Sequence, residues 1–316
     1  MTLLQAIILG VVQGLTEFIP ISSTAHLVLA GRVMNLPLTA EQTTASIAVI
    51  QLGTLVAVLL YFARDIWNIT SAFVRDHLAL LSGKRRILPG GATSVALSKE
   101  AWLGWLVIIG SIPVGIVGLL LKKQIEGTFT KSLLVIATMM IVVAILLAIA
   151  EFVGKKTRQM DQLGIADAVA IGCAQVLALI PGSSRSGSTI MGGLFMGETR
   201  ETAARFSFLL SIPAIAASGL LELKEALHNL PQTSLTSLAL ATLVSGIVGY
   251  ASIWFLLRFL RTHTTGIFIG YRLILGAVIL ALVFSGRLSS LDESHVVQID
   301  TKSVVSSAIS RPIRAH

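Results

Sequence analysis

The chain has 316 residues, 54% of them apolar and 13% charged, with a formal charge of +8 and a mean hydropathy of +0.85. A soluble domain carries charge on about a quarter of its residues, so this composition excludes an ordinary soluble protein and points to an integral membrane protein. The positive balance does not indicate nucleic acid, because Lys and Arg collect in short loops between apolar stretches, where membrane topology puts them.

In chain order, the N-terminus MTLLQAIILGVVQG has neither a basic start nor a small-residue cleavage site, so no removable signal peptide is expected. A membrane-crossing helix needs about 20 apolar residues. Residues 3–18 and 22–34 are too short, and Ile19-Pro20-x-Ser22-Ser23 separates them. Three spans follow at 45–63, 101–121 and 132–153. Residues 164–180 and 186–197 then repeat the short, interrupted pattern around IPGSSRSGST. Three more spans close the run at 204–222, 235–257 and 266–285. Cys173 is the single cysteine and has no disulfide partner in the chain. Residues 286–316 read as a mobile, external polar tail without a site.

A short helix, a polar turn and a second short helix predict a re-entrant hairpin, tolerated at membrane depth only where protein or a wet cavity surrounds it. The two breaks resemble each other. Ile19-Pro20-x-Ser22-Ser23 matches Ile180-Pro181-x-Ser183-Ser184 at an offset of 161, and Gly10-x-x-Gln13 matches Gly172-x-x-Gln175 at 162. The expected fold is therefore an all-α polytopic membrane protein, with six transmembrane helices plus two re-entrant hairpins. Residues 1–285 form one membrane domain of two repeats, about 1–121 and 162–260, with 132–153 and 266–285 as extra helices.

The loop 64–100 holds Arg64, Arg75, Lys84, Arg85, Arg86 and Lys99, and is read as cytoplasmic. So are 154–163 and the connection with Arg258 and Arg261. Loop 122–131, with Lys122, Lys123 and Lys131, runs against this bias. Counting spans then sends the hairpins in from opposite faces, an inverted-topology repeat of the kind secondary transporters use.

The polar residues at the breaks define the chemistry. Gln13 and Glu17 share a helix face. Ser22, Ser23 and Thr24 open the next helix, as capping residues do, with His26 on its first turn. In the second break Pro181-Gly182 turns the chain, and Ser183, Ser184, Arg185, Ser186 and Thr189 follow. Two helix N-termini, hydroxyl donors and a buried arginine make an anion site suited to phosphate or diphosphate. Glu17 fits such a site as the ligand of a divalent cation, with Gln13 beside it, or as the partner of His26 or a base. Elsewhere, Gln51 and Ser211 are expected to bond between helices, Arg272 to meet a head group, snorkel or pair, and Trp67, Trp102 and Trp105 to anchor at the interface.

At these residues the chain resembles the undecaprenyl-diphosphatase family, the bacitracin-resistance proteins of bacterial membranes. The likeness rests on Gln13-x-x-x-Glu17, on the SST-x-H stretch Ser22, Ser23, Thr24 and His26, and on Pro181, Gly182, Ser184, Arg185, Ser186 and Thr189. It extends over roughly 3–285, including FSFLLSIP and the pair Tyr271-Arg272. The resemblance implies hydrolysis of undecaprenyl diphosphate to the monophosphate, recycling a lipid carrier for peptidoglycan synthesis. It implies bacitracin resistance, since bacitracin acts on the same lipid. It also implies a divalent cation (Mg2+ or Ca2+) at Glu17 and Gln13, and a site facing outward from the bacterial plasma membrane. Glu17, Ser23, His26 and Arg185 become the catalytic candidates, and Ser22, Thr24, Ser183, Ser184, Ser186 and Thr189 bind the head group. Either Ser23 or His26 attacks phosphorus, or one of them activates water. A lipid-phosphate flippase using the same anion site is the alternative, and the sequence leaves room for a homodimer.

Overall fold

The computed structural model describes residues 1–36, 40–82, 86–87, 93–94, 97–121, 132–229 and 232–290. The chain order is α1 (Leu3–Phe18), α2 (Ser23–Val33), α3 (Ala40–Tyr61), α4 (Ala63–Leu81), a strand pair of two residues each (Arg86–Ile87 and Thr93–Ser94), α5 (Lys99–Leu120), α6 (Leu133–Val153), α7 (Ile165–Val176), α8 (Arg185–Phe195), α9 (Arg200–Asn229), α10 (Gln232–Leu260) and α11 (Gly266–Phe284). Among the described residues, five helices, α5, α6, α9, α10 and α11, have the length and apolarity to cross a membrane; α3 and α4 together make a sixth candidate, bent by 73°. The lysine-bearing loop 122–131 and residues 291–316 lie outside the described residues.

Two departures from the sequence reading have physical causes. Residues 63–81, read as cytoplasmic loop, form α4. Its apolar residues split between two faces: Phe73 and Ile69 pack on Gly104 of α5, while Trp67, Val74, Leu78 and Leu81 point outward. The start of the tail is also held in place, because the Ser289 carbonyl accepts from Arg32 at 2.7 Å and the Ser290 carbonyl from the Leu133 amide at 2.8 Å.

The hairpins α1–α2 and α7–α8 are built alike. Ser22 and Ser184 both sit at positive φ, 75° and 67°. Each caps a helix of 11 residues, accepting from the amide three residues on, and each helix closes on a methionine, Met34 or Met196. The caps stand 162 residues apart, the spacing of Gly10 and Gly172. The Ile-Pro-x-Ser-Ser likeness at 161 is thus one residue out of register with the backbone, and the counterpart of Ser23 is Arg185. Capping geometry sets the register here, not side-chain identity.

Gly10 and Gly172 do the same work. A Cβ on Gly10 would stand 2.5 Å from the Ala241 carbonyl oxygen of α10, and one on Gly172 would stand 2.3 Å from that of Gly110 on α5. Each hairpin is therefore clamped by backbone contact to a long helix. Small residues allow this close approach where lipid removes the hydrophobic drive between helices.

The hairpin mouths lie at opposite ends of α6 and α11. The first opens beside Ser289, Ser290 and Leu133. The second opens where Arg200 Nε and Glu151 meet at 2.8 Å and where the Thr265 hydroxyl donates to Glu151 at 2.7 Å. That second end also joins Arg205 to Asp65, Lys99 to Asp161 and Arg261 to Glu201. A largely apolar groove of about 860 Å³ runs between α3 and α10, lined by residues such as Val56, Leu238 and Leu243, with Thr242 and Tyr250 among them; none of the candidate site residues lines it.

Candidate active site

The two broken turns meet. Glu17, on the last turn of α1, is buried and accepts four hydrogen bonds. Its Oε2 receives Gln13 Nε2 at 2.8 Å and Ser23 Oγ at 2.8 Å. Its Oε1 receives Arg185 Nη2 at 2.5 Å and Gln51 Nε2 at 3.1 Å. A carboxylate offers about four lone-pair positions, so this one is saturated. Gln13 shares its face because four residues make about one turn. Ser23 reaches it because the positive φ of Ser22 folds α2 back over the end of α1.

Arg185 opens α8 one residue after the cap Ser184. Its side chain is 15% exposed against 3% for Glu17, so the pair is largely desolvated with the arginine on the open side. Ser184 Oγ lies 3.2 Å from Ser186 Oγ, and Ser186 Oγ donates to the Ile19 carbonyl at 3.4 Å, a thin link between the turns. Ser22 Oγ accepts from the Ala25 amide. Thr24 is half-buried beside it. Ser183 is buried with an unpartnered hydroxyl.

Two predicted residues sit differently. Thr189 does not face the site: its hydroxyl is 2.8 Å from the Arg185 carbonyl and 2.6 Å from Ser207 Oγ of α9, so it binds α8 to α9. His26 makes no hydrogen bond to Ser23 or Glu17. Its Nδ1 is 2.7 Å from the Ser22 carbonyl and its Nε2 is 2.6 Å from Tyr271 Oη.

Three residues enlarge the site beyond the sequence reading. Gln51 does bond between helices, and its partner is Glu17. Tyr271 holds His26. Arg272, expected at a head group, snorkelling or ion-paired, does none of these. It is fully buried and donates to five backbone carbonyls: Met139 and Met140 on α6, Pro20 in the first turn, and Gly182 and Ser183 in the second. The carbonyls freed where a helix breaks are thereby satisfied. Gly182 makes room with φ at 95°, where a Cβ would stand 2.1 Å from the Ile136 carbonyl oxygen.

No cluster of three or more His, Cys, Asp or Glu exists among the described residues. Gln13 Oε1 is buried without a partner beside the Glu17 carboxylate. That pair of oxygens suits a hard cation held mainly by substrate oxygens, in place of one of the present donors to Glu17.

At the mouth of the second hairpin, Glu198 is fully buried with both carboxylate oxygens unpartnered. Burial, and then the nearby Asp167, push its carboxyl up to about 8 against the pull of Arg158. Arg158 is engaged with Asp167, with Nη2 to Oδ2 at 2.7 Å.

The chain is similar to known proteins along most of its length. Residues 6–278 match the family model described as bacitracin resistance protein BacA. A Syntrophobacter fumaroxidans protein named undecaprenyl-diphosphatase is 52% identical over 286 residues, covering 90% of this chain and 98% of its own. Proteins of the same name from Chloroherpeton thalassium and Mycolicibacterium gilvum are 46% and 45% identical, over 92% of this chain and 100% of theirs. With the match spanning both hairpins and every helix between them, the chain belongs to the bacitracin resistance protein BacA family.

Proposed function

We propose that this multi-pass membrane protein hydrolyses undecaprenyl diphosphate to undecaprenyl phosphate and inorganic phosphate. The reaction recycles the lipid carrier for peptidoglycan synthesis and confers bacitracin resistance. The single observation that carries the chemistry is Glu17, which contacts Ser23 on its own hairpin and Arg185 on the other.

In this reading the head group enters between the two turns while its prenyl tail stays in lipid. Arg185 spends one donor on Glu17; its other donors make no hydrogen bond among the described residues and face the incoming phosphate. The helix ends capped by Ser22 and Ser184 add partial positive charge, and the hydroxyls of Thr24, Ser183 and Ser186 add donors. Charge neutralisation of this kind dominates phosphoryl transfer. Ser23 Oγ attacks the terminal phosphorus as Glu17 takes its proton. The bond from that phosphorus to the bridging oxygen breaks, and undecaprenyl phosphate leaves. Water then attacks phosphoserine, Ser23 recovers its proton and inorganic phosphate departs. A divalent cation (Mg2+ or Ca2+), with Glu17 and Gln13 as its protein ligands, would neutralise phosphate charge. The bundle reads as an inverted repeat with the site open to the external face of the bacterial plasma membrane.

The test is a quenched reaction with substrate labelled at the terminal phosphate. Label on Ser23, and none in Ser23→Ala, is the expected result. Label on His26, or turnover retained by Ser23→Ala, overturns the assignment.

A further inference from the structure

Tyr271 and His26 come from different helices, α11 and α2, and meet one helical turn from Ser23. α11 presents Ile267, Tyr271, Ile274 and Val278 outward, one per helical turn, and Tyr271 alone among them is polar. Its hydroxyl does not point at lipid: it lies 2.6 Å from His26 Nε2, and the two rings are nearly parallel, 10° apart with centroids at 5.6 Å. The next residue, Arg272, is locked by five carbonyls from three other segments. The rotation of α11 is therefore fixed, and Tyr271 is delivered to the imidazole by a restraint outside its own side chain.

The other edge of the ring is held as well. His26 Nδ1 is 2.7 Å from the Ser22 carbonyl oxygen. A carbonyl only accepts, so Nδ1 carries the hydrogen. Nε2 of the neutral ring is then the acceptor, and Tyr271 Oη donates to it. Ser22 caps α2, so the same residue that turns the backbone toward Glu17 also sets the tautomer of His26. With Tyr271 on the second nitrogen, the ring has one tautomer and one plane, a single helical turn from Ser23.

We infer that Tyr271 is a positioning residue for the phosphatase site: its hydroxyl, donating to Nε2, fixes the plane of the His26 ring one helical turn from Ser23. The catalytic part of this inference rests on the hydrolase reading above. A phenylalanine at 271 keeps the stacked ring and loses only the hydrogen bond, leaving His26 restrained at Nδ1 alone and free to swing. Second restraints on a histidine ring are how its tautomer and direction are set.

The experiment compares wild type with Tyr271→Phe as full-length protein in detergent, using undecaprenyl diphosphate for turnover and 15N-histidine spectra for the ring. The His26 signals are identified by their loss in His26→Gln. In wild type a single Nδ1–H tautomer is expected. In Tyr271→Phe, kcat falls about fivefold with KM within about twofold, the scale of one neutral hydrogen bond, and the His26 Nε2 signal moves to that of an acceptor without a donor. An unchanged kcat, an unchanged Nε2 signal, or a rise in KM that accounts for the whole loss each overturns the inference. Should Tyr271→Phe fail to fold, the wild-type spectrum decides: an Nε2–H tautomer or an Nε2 without a hydrogen bond overturns it, and a hydrogen-bonded acceptor Nε2 upholds it. The spectra need no turnover, so absence of phosphate release from wild type would defeat the hydrolase reading separately.

Discussion

Glu17 and Arg185, 168 residues apart in the chain, meet at 2.5 Å where the two broken helices end. Neither hairpin holds a complete anion site alone. The first brings the carboxylate and the nucleophile candidate Ser23, and the second brings the guanidinium. The contact also lets each charge stay buried, since an unpaired ion at that depth costs several kcal/mol.

Separating the two roles of that pair gives the first prediction. Arg185→Ala removes a charge stabiliser and is expected to lower kcat by about 10²–10³-fold. It also strands Glu17, so unfolding stability falls by about 3–5 kcal/mol. The double variant Glu17→Gln with Arg185→Met restores much of that stability and none of the activity. Thermal unfolding in detergent beside phosphate release checks both halves.

Arg272 should act on stability before chemistry. Arg272→Met takes the side-chain donor from the Pro20, Gly182 and Ser183 carbonyls of the two turns. A loss of about 3–5 kcal/mol, or failure to fold, is expected for a buried hydrogen-bonded cation. Arg272→Lys, with three donors, falls between. Melting temperature and the yield of monodisperse protein are the readouts, and an unaltered melt in Arg272→Met would contradict the structure.

Gly53 predicts an overpacking effect at a distance from the site. A Cβ there would stand 2.0 Å from the Thr242 carbonyl oxygen, so Gly53→Ala must part α3 from α10. The expected cost is about 1–3 kcal/mol. Because Gln51 lies on the same helix and donates to Glu17, KM or kcat shifts with it. Gly270, inside α11 with open space where a Cβ would stand, is the control, and Gly270→Ala does not lower stability.

Glu198 predicts a pH dependence. Its folded value of about 8 lies above the ordinary glutamate value of 4.5. Between those values the folded state holds a proton that the unfolded state has lost, so stability declines as pH rises through that window and levels off above about 8. Glu198→Gln removes the decline. Its gain over wild type is absent near pH 4.5 and reaches a few kcal/mol by pH 8, seen as diverging melting curves.

Much of the fold was legible because each span announces itself by length and apolarity. Residues 132–153 and 266–285 became α6 and α11 within one residue at each end. The site candidates Gln13, Glu17, Ser23 and Arg185 were legible because polar groups between apolar helices need a reason, and the structure gathers them. Thr189 was misplaced because helical spacing from Ser186 cannot tell a face toward the turn from a face toward α9. Arg272 was unreadable for a different reason: its partners are backbone carbonyls, which carry no sequence signal. The repeat register was blurred by a proline–serine likeness that the positive φ of the two caps overrides. α4 was hidden because Asp65, Arg75 and Asp76 make it too polar to read as a membrane span, so the basic bias of 64–100 decided the reading.

The grip of one guanidinium on both turns has a mechanical consequence. Levering either hairpin against the other would break the bonds to Pro20, Gly182 and Ser183 together. That shared tie opposes the rocking of one repeat against the other on which alternating-access carriers depend.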